Sequence, residues 1–529
     1  MRFDPTARYP SRRSPVFSGN VVATSQPLAA QAGLSMLAKG GNAVDAALAA
    51  AITLTVVEPT GNGLGSDAFA ILWDGSELHG LNASGPAPAA WTPDRFAGRS
   101  AMHFRGWEAV TVPGAVSAWV SMSHKFGRLD FADLFEPAIR YARDGFVVTP
   151  IIGKLWGLGA RELASQPGFA EMFMPGGRAP EAGELFQAPA LAQSLEQIAG
   201  SGGEAFYRGE LASKIAAHAA SCGGAMTEDD LAAYNPEWVG TIGMDAFGVS
   251  LEEIPPNGQG IAALMALGIL ESLDLGDAAD SAQSLHLQIE AMKLALSDLA
   301  AYVADPAHMK AVSTADLLDK GYLAGRAKLI DPARAQTFDP GRPQDGGTVY
   351  ISAADADGMM VSFIQSNYAG FGSGVVVPGT GISLQNRGAG FILADGHPNQ
   401  VAPGKKPFHT IIPGFIMKDG APLTSFGVMG GPIQAQGHVQ MVLRMEKFGQ
   451  DPQTAIDAPR WRVLDARRVA IEPDIGKEAL SGLEAMGHEV TFDAPGEAFG
   501  FGGAQAIRRI ASGYVAGSDH RKDGQAVGF

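Results

Sequence analysis

The sequence predicts an α+β protein, with helices dominating the earlier part of the chain and short strands the last third. Two observations carry this expectation. Apolar residues recur at helical spacing through much of the chain before residue 330, with cap and stop residues at the segment ends. After Asp331 the pattern becomes short strand-like runs separated by glycine turns. No repeat at a period of ~20–50 residues and no low-complexity tract interrupts it.

Near the N-terminus, Pro27 to Lys39 has helical spacing and Gly40-Gly41 supplies its stop. Asn42 stands at the N-cap of the next helix, Ala43 to Val57, which ends before Pro59 and a glycine-rich loop. That run is too short to span a bilayer and reads as a buried helix. From about Asp130 to Ile330 the chain is mostly helical, Ser284 to Val303 being the clearest stretch, and Thr227-Glu-Asp-Asp marks a capped helix start. Pro332 to Gly347 holds three prolines and three glycines and predicts an exposed, poorly ordered segment. Thr348 to Ala353 and Met359 to Gln365, joined by Asp355-Ala-Asp-Gly, form a hairpin signature. Further helices are expected near Gly437 to Phe448 and Ile475 to Met486.

Composition narrows the function. Of 529 residues, 46% are hydrophobic, enough for a large core, and the net charge is −16. Such acidity argues against nucleic-acid or anionic-membrane partners, which select basic surfaces. The single cysteine, Cys222, excludes an internal disulfide framework and a cysteine-cluster metal site. The first twenty residues lack an apolar export segment, so a cytoplasmic location is expected. The eleven histidines form no H-E-x-x-H or closely paired pattern, and neither a metal nor another cofactor is expected. Gly61-Asn-Gly-Leu-Gly-Ser lacks phosphate-loop spacing, Asp355-Ala-Asp-Gly lacks the downstream ligands of a calcium loop, and Cys222 has no nucleophile signature.

The switch into strand at Thr348, directly after Gly346-Gly347, is the feature with chemical content. A threonine there suits an N-terminal nucleophile made by self-cleavage. Its hydroxyl would attack the Gly347 carbonyl, and water would release the upstream chain. Glycine keeps that carbonyl open and tolerates strained angles. The freed α-amine, with a pKa near ~7.7–8.0, would serve as base for the same hydroxyl. The triplet alone reads far more readily as a hairpin start after a loop.

Motifs along nearly the whole chain resemble the γ-glutamyltransferase family of autoprocessing N-terminal-nucleophile hydrolases. They are Val22-Ala-Thr-Ser-Gln-Pro-Leu-Ala with Gly40-Gly-Asn-Ala-Val-Asp-Ala-Ala, Val110-Thr-Val-Pro-Gly-Ala-Val, Pro255-Pro-Asn-Gly-Gln-Gly, and His286 to Asp305-Pro306. Ala458-Pro-Arg, Gly487-His-Glu-Val and Asp519-His-Arg-Lys-Asp-Gly follow in order. The resemblance implies a four-layer αββα sandwich, one domain cut from a precursor into a large subunit, 1–347, and a small subunit, 348–529. The ordinary length prior would instead suggest three domains. It also implies Gly430-Gly431 as the oxyanion hole, otherwise a tight turn, and Ser366 as the hydroxyl that holds the nucleophile's amine, otherwise a core strand hydroxyl. Expected partners are a small-molecule substrate and the two subunits, with a homo-oligomer open.

Several positions depart from the γ-glutamyl pattern. Ser84 stands where the family's carboxylate-binding Arg is expected, Gly390 where its amine-binding Asp is, and Tyr368 where an Asn is. Loss of both charges removes the clamp for an amino-acid end. Arg387 stands where Gln or Glu is usual and can grip a planar carboxylate, unless it serves a structural ion pair. His409-Thr410 replaces paired serines, with a core role for His409 open. The segments from Ser366, Gln385 and Phe408 resemble the oxamate amidohydrolase-like branch. The expected activity is hydrolysis of a small carboxylated amide such as oxamate through an acyl-enzyme on Thr348. The alternatives are a γ-glutamyl hydrolase or transferase with a rebuilt clamp, and an uncleaved, non-catalytic ligand-binding relative.

Overall fold

Side chains alternate across a strand, and the strand Gly347–Ala354 uses both faces. Val349, Ile351 and Ala353 join an apolar cluster shared with the helices Pro27–Ala38 and Ala43–Val57. Tyr350 and Ala354 face the other way, into a cluster with Phe415, Met429 and Ile507 of a second sheet. A strand buried on both faces must lie between layers. This computed structural model describes residues 13–338, 347–492 and 500–529. Expectations for the first twelve residues and for 339–346 lie outside them.

Two seven-stranded antiparallel sheets form the centre of the molecule. In the first, Gly347–Ala354 lies between Val21–Thr24 and Met360–Tyr368, and the latter pairs onward with Asp67–Trp73. In the second, Ala421–Met429 lies between Gly414–Lys418 and Gly503–Ile510. Helices Gly260–Leu270, Ala282–Tyr302 and Ile433–Val442 cover the outer face of this second sheet. The order helix, sheet, sheet, helix is the αββα sandwich that the resemblance implied.

The expected helix at Ala43–Val57 forms and is buried at every position, as its apolar composition requires. Asn42 caps it by accepting from the Val44 and Asp45 amides, and Asp45 closes the capping box. Thr227 caps Glu228–Ala232 in the same way. The hairpin turn closes as expected, the Gly358 amide donating to the Asp355 carbonyl.

Three expectations need correction. The region 130–330 also contributes strands Ile242–Ala246 and Val249–Glu253 to the second sheet. Their half-exposed alternation marks an edge, a weak signal inside a helical stretch. The helix expected from Gly437 starts at Ile433 and ends in a π-helical turn, Leu443–Lys447. Strands Val21–Thr24, Asp67–Trp73 and Leu78–Ala83 lie in segments for which the sequence predicts no element, although helices are expected to dominate this part of the chain.

The two sheets approach closest at Gly427, where an added Cβ would sit 2.4 Å from the Tyr350 ring. Gly427→Ala is therefore expected to cost about 1–3 kcal/mol by overpacking, read as a lowered melting temperature. An unchanged melting temperature would show that the sheets can separate freely here.

Candidate functional site

The strand that begins at Gly347 is not perfectly paired. Gly347 lies opposite Tyr368 and Val349 opposite Gln365, so Ser366 and Asn367 together face Thr348. This β-bulge is of a kind that often re-aims a side chain beside an active site. Thr348 is fully buried, and its Oγ1 lies 3.2 Å from Ser366 Oγ. The Tyr368 amide donates to Ser366 Oγ at 2.8 Å. Gly61 packs behind, where a Cβ would stand 3.2 Å from the Thr348 carbonyl oxygen, so the Gly61 loop backs the strand.

Gly430 and Gly431 follow the strand Ala421–Met429 and precede the helix Ile433–Val442. Their φ values of 129° and 67° lie where side-chain-bearing residues are strained. The turn thus brings two unhindered amides to the start of a helix. Gln434, on the first turn, donates from Nε2 to Thr348 Oγ1 at 3.3 Å and accepts from the Ile412 amide. Gln259 donates to the Gly431 and Thr410 carbonyls and ties that turn to the next segment. Neither glutamine was among the sequence candidates. Only their position near motif glycines hinted at them.

Arg387 is 1% exposed. Its guanidinium lies 4.7 Å from the centre of the Tyr368 ring, and Nη1 donates to Thr410 Oγ1 at 2.8 Å. Among the described residues Nε and Nη2 have no hydrogen-bond acceptor. Burial lowers its pKa to about 10 against the attraction of Asp67. Asp67 lies directly across the strand pair from Ser366. Its Oδ1 accepts from the Gly114 and Gly85 amides, and His409 Nε2 stands 3.1 Å from Oδ2. Burial pushes the Asp67 carboxyl up to about 7, with Arg387 opposing. His409 Nδ1 accepts from the Ile411 amide, so Nε2 carries the proton, and burial, with Arg387 adding, holds the ring neutral. Asp67 was missed because a lone acid at a strand start carries no local signal.

Tyr368, with φ at 76°, also lines a cavity of about 300 Å³ with Gln259, Thr410, Gly390 and the apolar Phe104 and Phe408. The site therefore gathers Thr348, Ser366, Gly430, Gly431, Tyr368, Arg387, His409 and Thr410 through direct contacts or shared neighbours. Ser84 is different. Its hydroxyl donates to Asn82 Oδ1 and accepts from Asn257 Nδ2, and it lies outside that cavity's lining.

Two trios could offer metal ligands, although sequence showed no paired histidines. His286, Glu290 and His488 lie within 4.8 Å of one another and are buried. Lys293 and the Gln336 amide already occupy both Glu290 oxygens, so a lysine supplies the positive charge there. Asp74, Glu77 and His79 form the other, at a strand turn whose Asp74 accepts from the Ser76 and Glu77 amides. Cys222 is exposed, 3.5 Å from His218. No helix among the described residues is long and apolar enough to cross a membrane.

An αββα sandwich of this kind defines an N-terminal-nucleophile hydrolase. The chain belongs to the gamma-glutamyltranspeptidase family, whose model matches residues 29–529. It is 37% identical to the glutathione hydrolase-like YwrD proenzyme of Bacillus subtilis over 98% of this chain and all of that one. It is also 37% identical to the oxamate amidohydrolase proenzyme of Klebsiella pneumoniae, over 95% of this chain and 97% of that one. The crystal structure of cephalosporin acylase from Bacillus halodurans superposes with a TM-score of 0.96 at 46% identity, covering 100% of this chain and 99% of the other. The protein is thus an enzyme of this hydrolase family, and the Bacillus subtilis and Klebsiella pneumoniae relatives are both named as proenzymes.

Gln434→Ala removes the donor to Thr348 Oγ1 and strands the Ile412 amide. It is expected to lower kcat by roughly ten- to a hundred-fold, as loss of about 1.5–3 kcal/mol would. An unchanged kcat in the processed variant would remove Gln434 from the site.

Proposed function

We propose that the chain is cleaved between Gly347 and Thr348, leaving subunits 1–347 and 348–529, and that Thr348 then hydrolyses a small amide bearing a carboxylate beside the scissile carbonyl, such as oxamate. In cleavage, Thr348 Oγ1 bonds to the Gly347 carbonyl carbon as the peptide C–N bond breaks, giving an ester and a free amine. Water then hydrolyses the ester. In turnover the α-amine takes the hydroxyl proton while Oγ1 attacks the substrate carbonyl. The Gly430 and Gly431 amides stabilise the oxyanion, and Ser366 orients the amine. The leaving amine departs with that proton, and water releases the acid from the acyl-enzyme.

The observation that carries the carboxylate is the free Nε–Nη2 edge of buried Arg387. This chain uses the same edge to hold carboxylates elsewhere. Arg95 binds Glu108 through Nε and Nη2 at 3.0 and 2.7 Å, and Arg468 and Arg521 grip Asp465 and Glu472 in the same way. At Arg387 the corresponding acceptor would be substrate. Thr410 and Tyr368 hold the guanidinium in place, His409 holds Asp67, and Ser84 bonds to Asn257, which donates to the Pro407 carbonyl. A γ-glutamyl end fits poorly, because Ser84 offers no charge and a Cβ at Gly390 would stand 2.6 Å from the Phe408 carbonyl oxygen. The relative named for oxamate supports the small substrate.

A second reading rests on the cavity, whose Met102, Phe104, Leu296 and Phe391 walls suit an apolar acyl group. The neighbour titled cephalosporin acylase supports that reading.

Denaturing electrophoresis with N-terminal sequencing tests cleavage: two bands are expected, the smaller starting at Thr348, and Thr348→Ala should give one band and no turnover. Processing that survives in Thr348→Ala would overturn the mechanism. Arg387→Ala is expected to lower kcat/KM for oxamate roughly a hundred-fold, as loss of a charged bidentate contact would. Equal kcat/KM in the variant, or preference for a long-chain acyl amide over oxamate, would favour the second reading.

A further inference from the structure

The charges around Arg387 do not suit a bound anion as they stand. Above about pH 7, Arg387 contributes one positive charge and Asp67 one negative, both buried, while His409 is neutral. The resting group is therefore near zero net charge. A substrate carboxylate docking on Nε and Nη2 would bring it to about −1 in a water-free space. An uncompensated charge there costs several kcal/mol. Some group must give up negative charge when the anion arrives.

We propose, resting on the carboxylate site above, that the Asp67–His409 pair is its positioning element and that Asp67 takes up one proton when a substrate carboxylate docks on Arg387. The geometry allows the uptake. Oδ2 faces His409 Nε2 at 3.1 Å, so a protonated carboxyl can donate there once the imidazole moves its hydrogen to Nδ1. The bond given up is the 3.3 Å contact from the Ile411 amide, the weakest at this histidine. Oδ1 keeps the Gly85 and Gly114 amides, which hold the carboxyl in position. Among the described residues no other side chain is so placed. The remaining ionisable groups near Asp67 are Lys406, Tyr207 and Tyr234. Lys406 is paired with Glu237 at 2.8 Å, and both tyrosines are held protonated by burial.

The free carboxyl titrates at about 7, so uptake is available near neutral pH. The sign follows directly. Below that pH Asp67 already carries the proton and anion affinity is flat. Above it each bound anion must draw a proton from solution, and affinity falls up to ten-fold per pH unit. The coupling runs through Arg387, whose Nη1 is held by Thr410, the residue after His409.

The test uses the processed protein. KM for oxamate is measured from pH 6 to 9 in the wild type and in Asp67→Asn. The wild type is expected to show KM rising above about pH 7, and Asp67→Asn to lose that rise, while kcat in both keeps the slope set by the Thr348 amine. Because Asp67→Asn could fail to fold, infrared difference spectra of wild-type protein with and without lactate, an unreactive carboxylate, are recorded at pH 7.5. A protonated-carboxyl band gained on binding supports the proposal, since an amine gives none. Parallel KM profiles, or no such band with lactate bound, overturn it while leaving the carboxylate site intact. If lactate does not compete with oxamate, or if Arg387→Lys leaves its affinity unchanged, the carboxylate site fails and the proposal with it.

Discussion

The site depends on one strand pairing. Antiparallel register between Gly347–Ala354 and Met360–Tyr368 fixes which residues meet, and its irregularity at Thr348 gives that residue two partners across the strand instead of one. Ser366 can then lie near the hydroxyl while its own oxygen accepts from the Tyr368 amide. Continued without the bulge, the Val349–Gln365 register would set Thr348 against Ser366 alone and Gly347 against Asn367. The same pairing, continued through Asp67–Trp73, puts Asp67 opposite Ser366. Thr348 and Asp67 are thus two positions on one sheet, held in register by backbone hydrogen bonds, while Arg387 opens the 3-10 turn Arg387–Gly390 beside them.

A second constraint is electrostatic. Arg387, Asp67 and His409 are all buried, and such charges are tolerated only when paired or neutralised. Asp67 has two amides and an imidazole, whereas Arg387 has one hydroxyl and an aromatic face. The deficit on the arginine side is a cost in the unliganded protein. Such under-satisfied buried groups are retained where binding completes them. Structural arginines in the same chain show the contrast, for Arg460 and Arg521 are both saturated by Asp519, Glu472 and backbone carbonyls.

Helix caps, stops and the hairpin were legible because they are local: Asn42 and Asp45 lie three residues apart, and Asp355 and Gly358 share one turn. Thr348, the proposed nucleophile, stood out because a glycine pair before a strand start is also local, and the family motifs sharpened it. Asp67, Gln259 and Gln434 were not. Asp67 reaches His409 across 342 residues and Gln434 reaches Thr348 across 86, so no window of sequence contains either contact. Strands within the helical half were hidden for another reason. Both faces of Asp67–Trp73 are covered, which erases the alternation that identifies a strand.

Ser84 and Gly390 are both set in packing that a larger side chain would disturb. At Ser84 a long basic side chain would have to displace the Asn82–Asn257 pair, which itself donates to the Pro407 carbonyl. At Gly390 the Phe408 carbonyl leaves no space for a side chain. Residues 407 and 408 precede His409-Thr410, so the backbone packed against Gly390 also delivers the two residues that contact Asp67 and Arg387. Restoring an acid at 390 would push that backbone away and release the histidine and threonine together. A side chain at 390 is therefore coupled through the Phe408 backbone to the contacts that His409 and Thr410 make with Asp67 and Arg387.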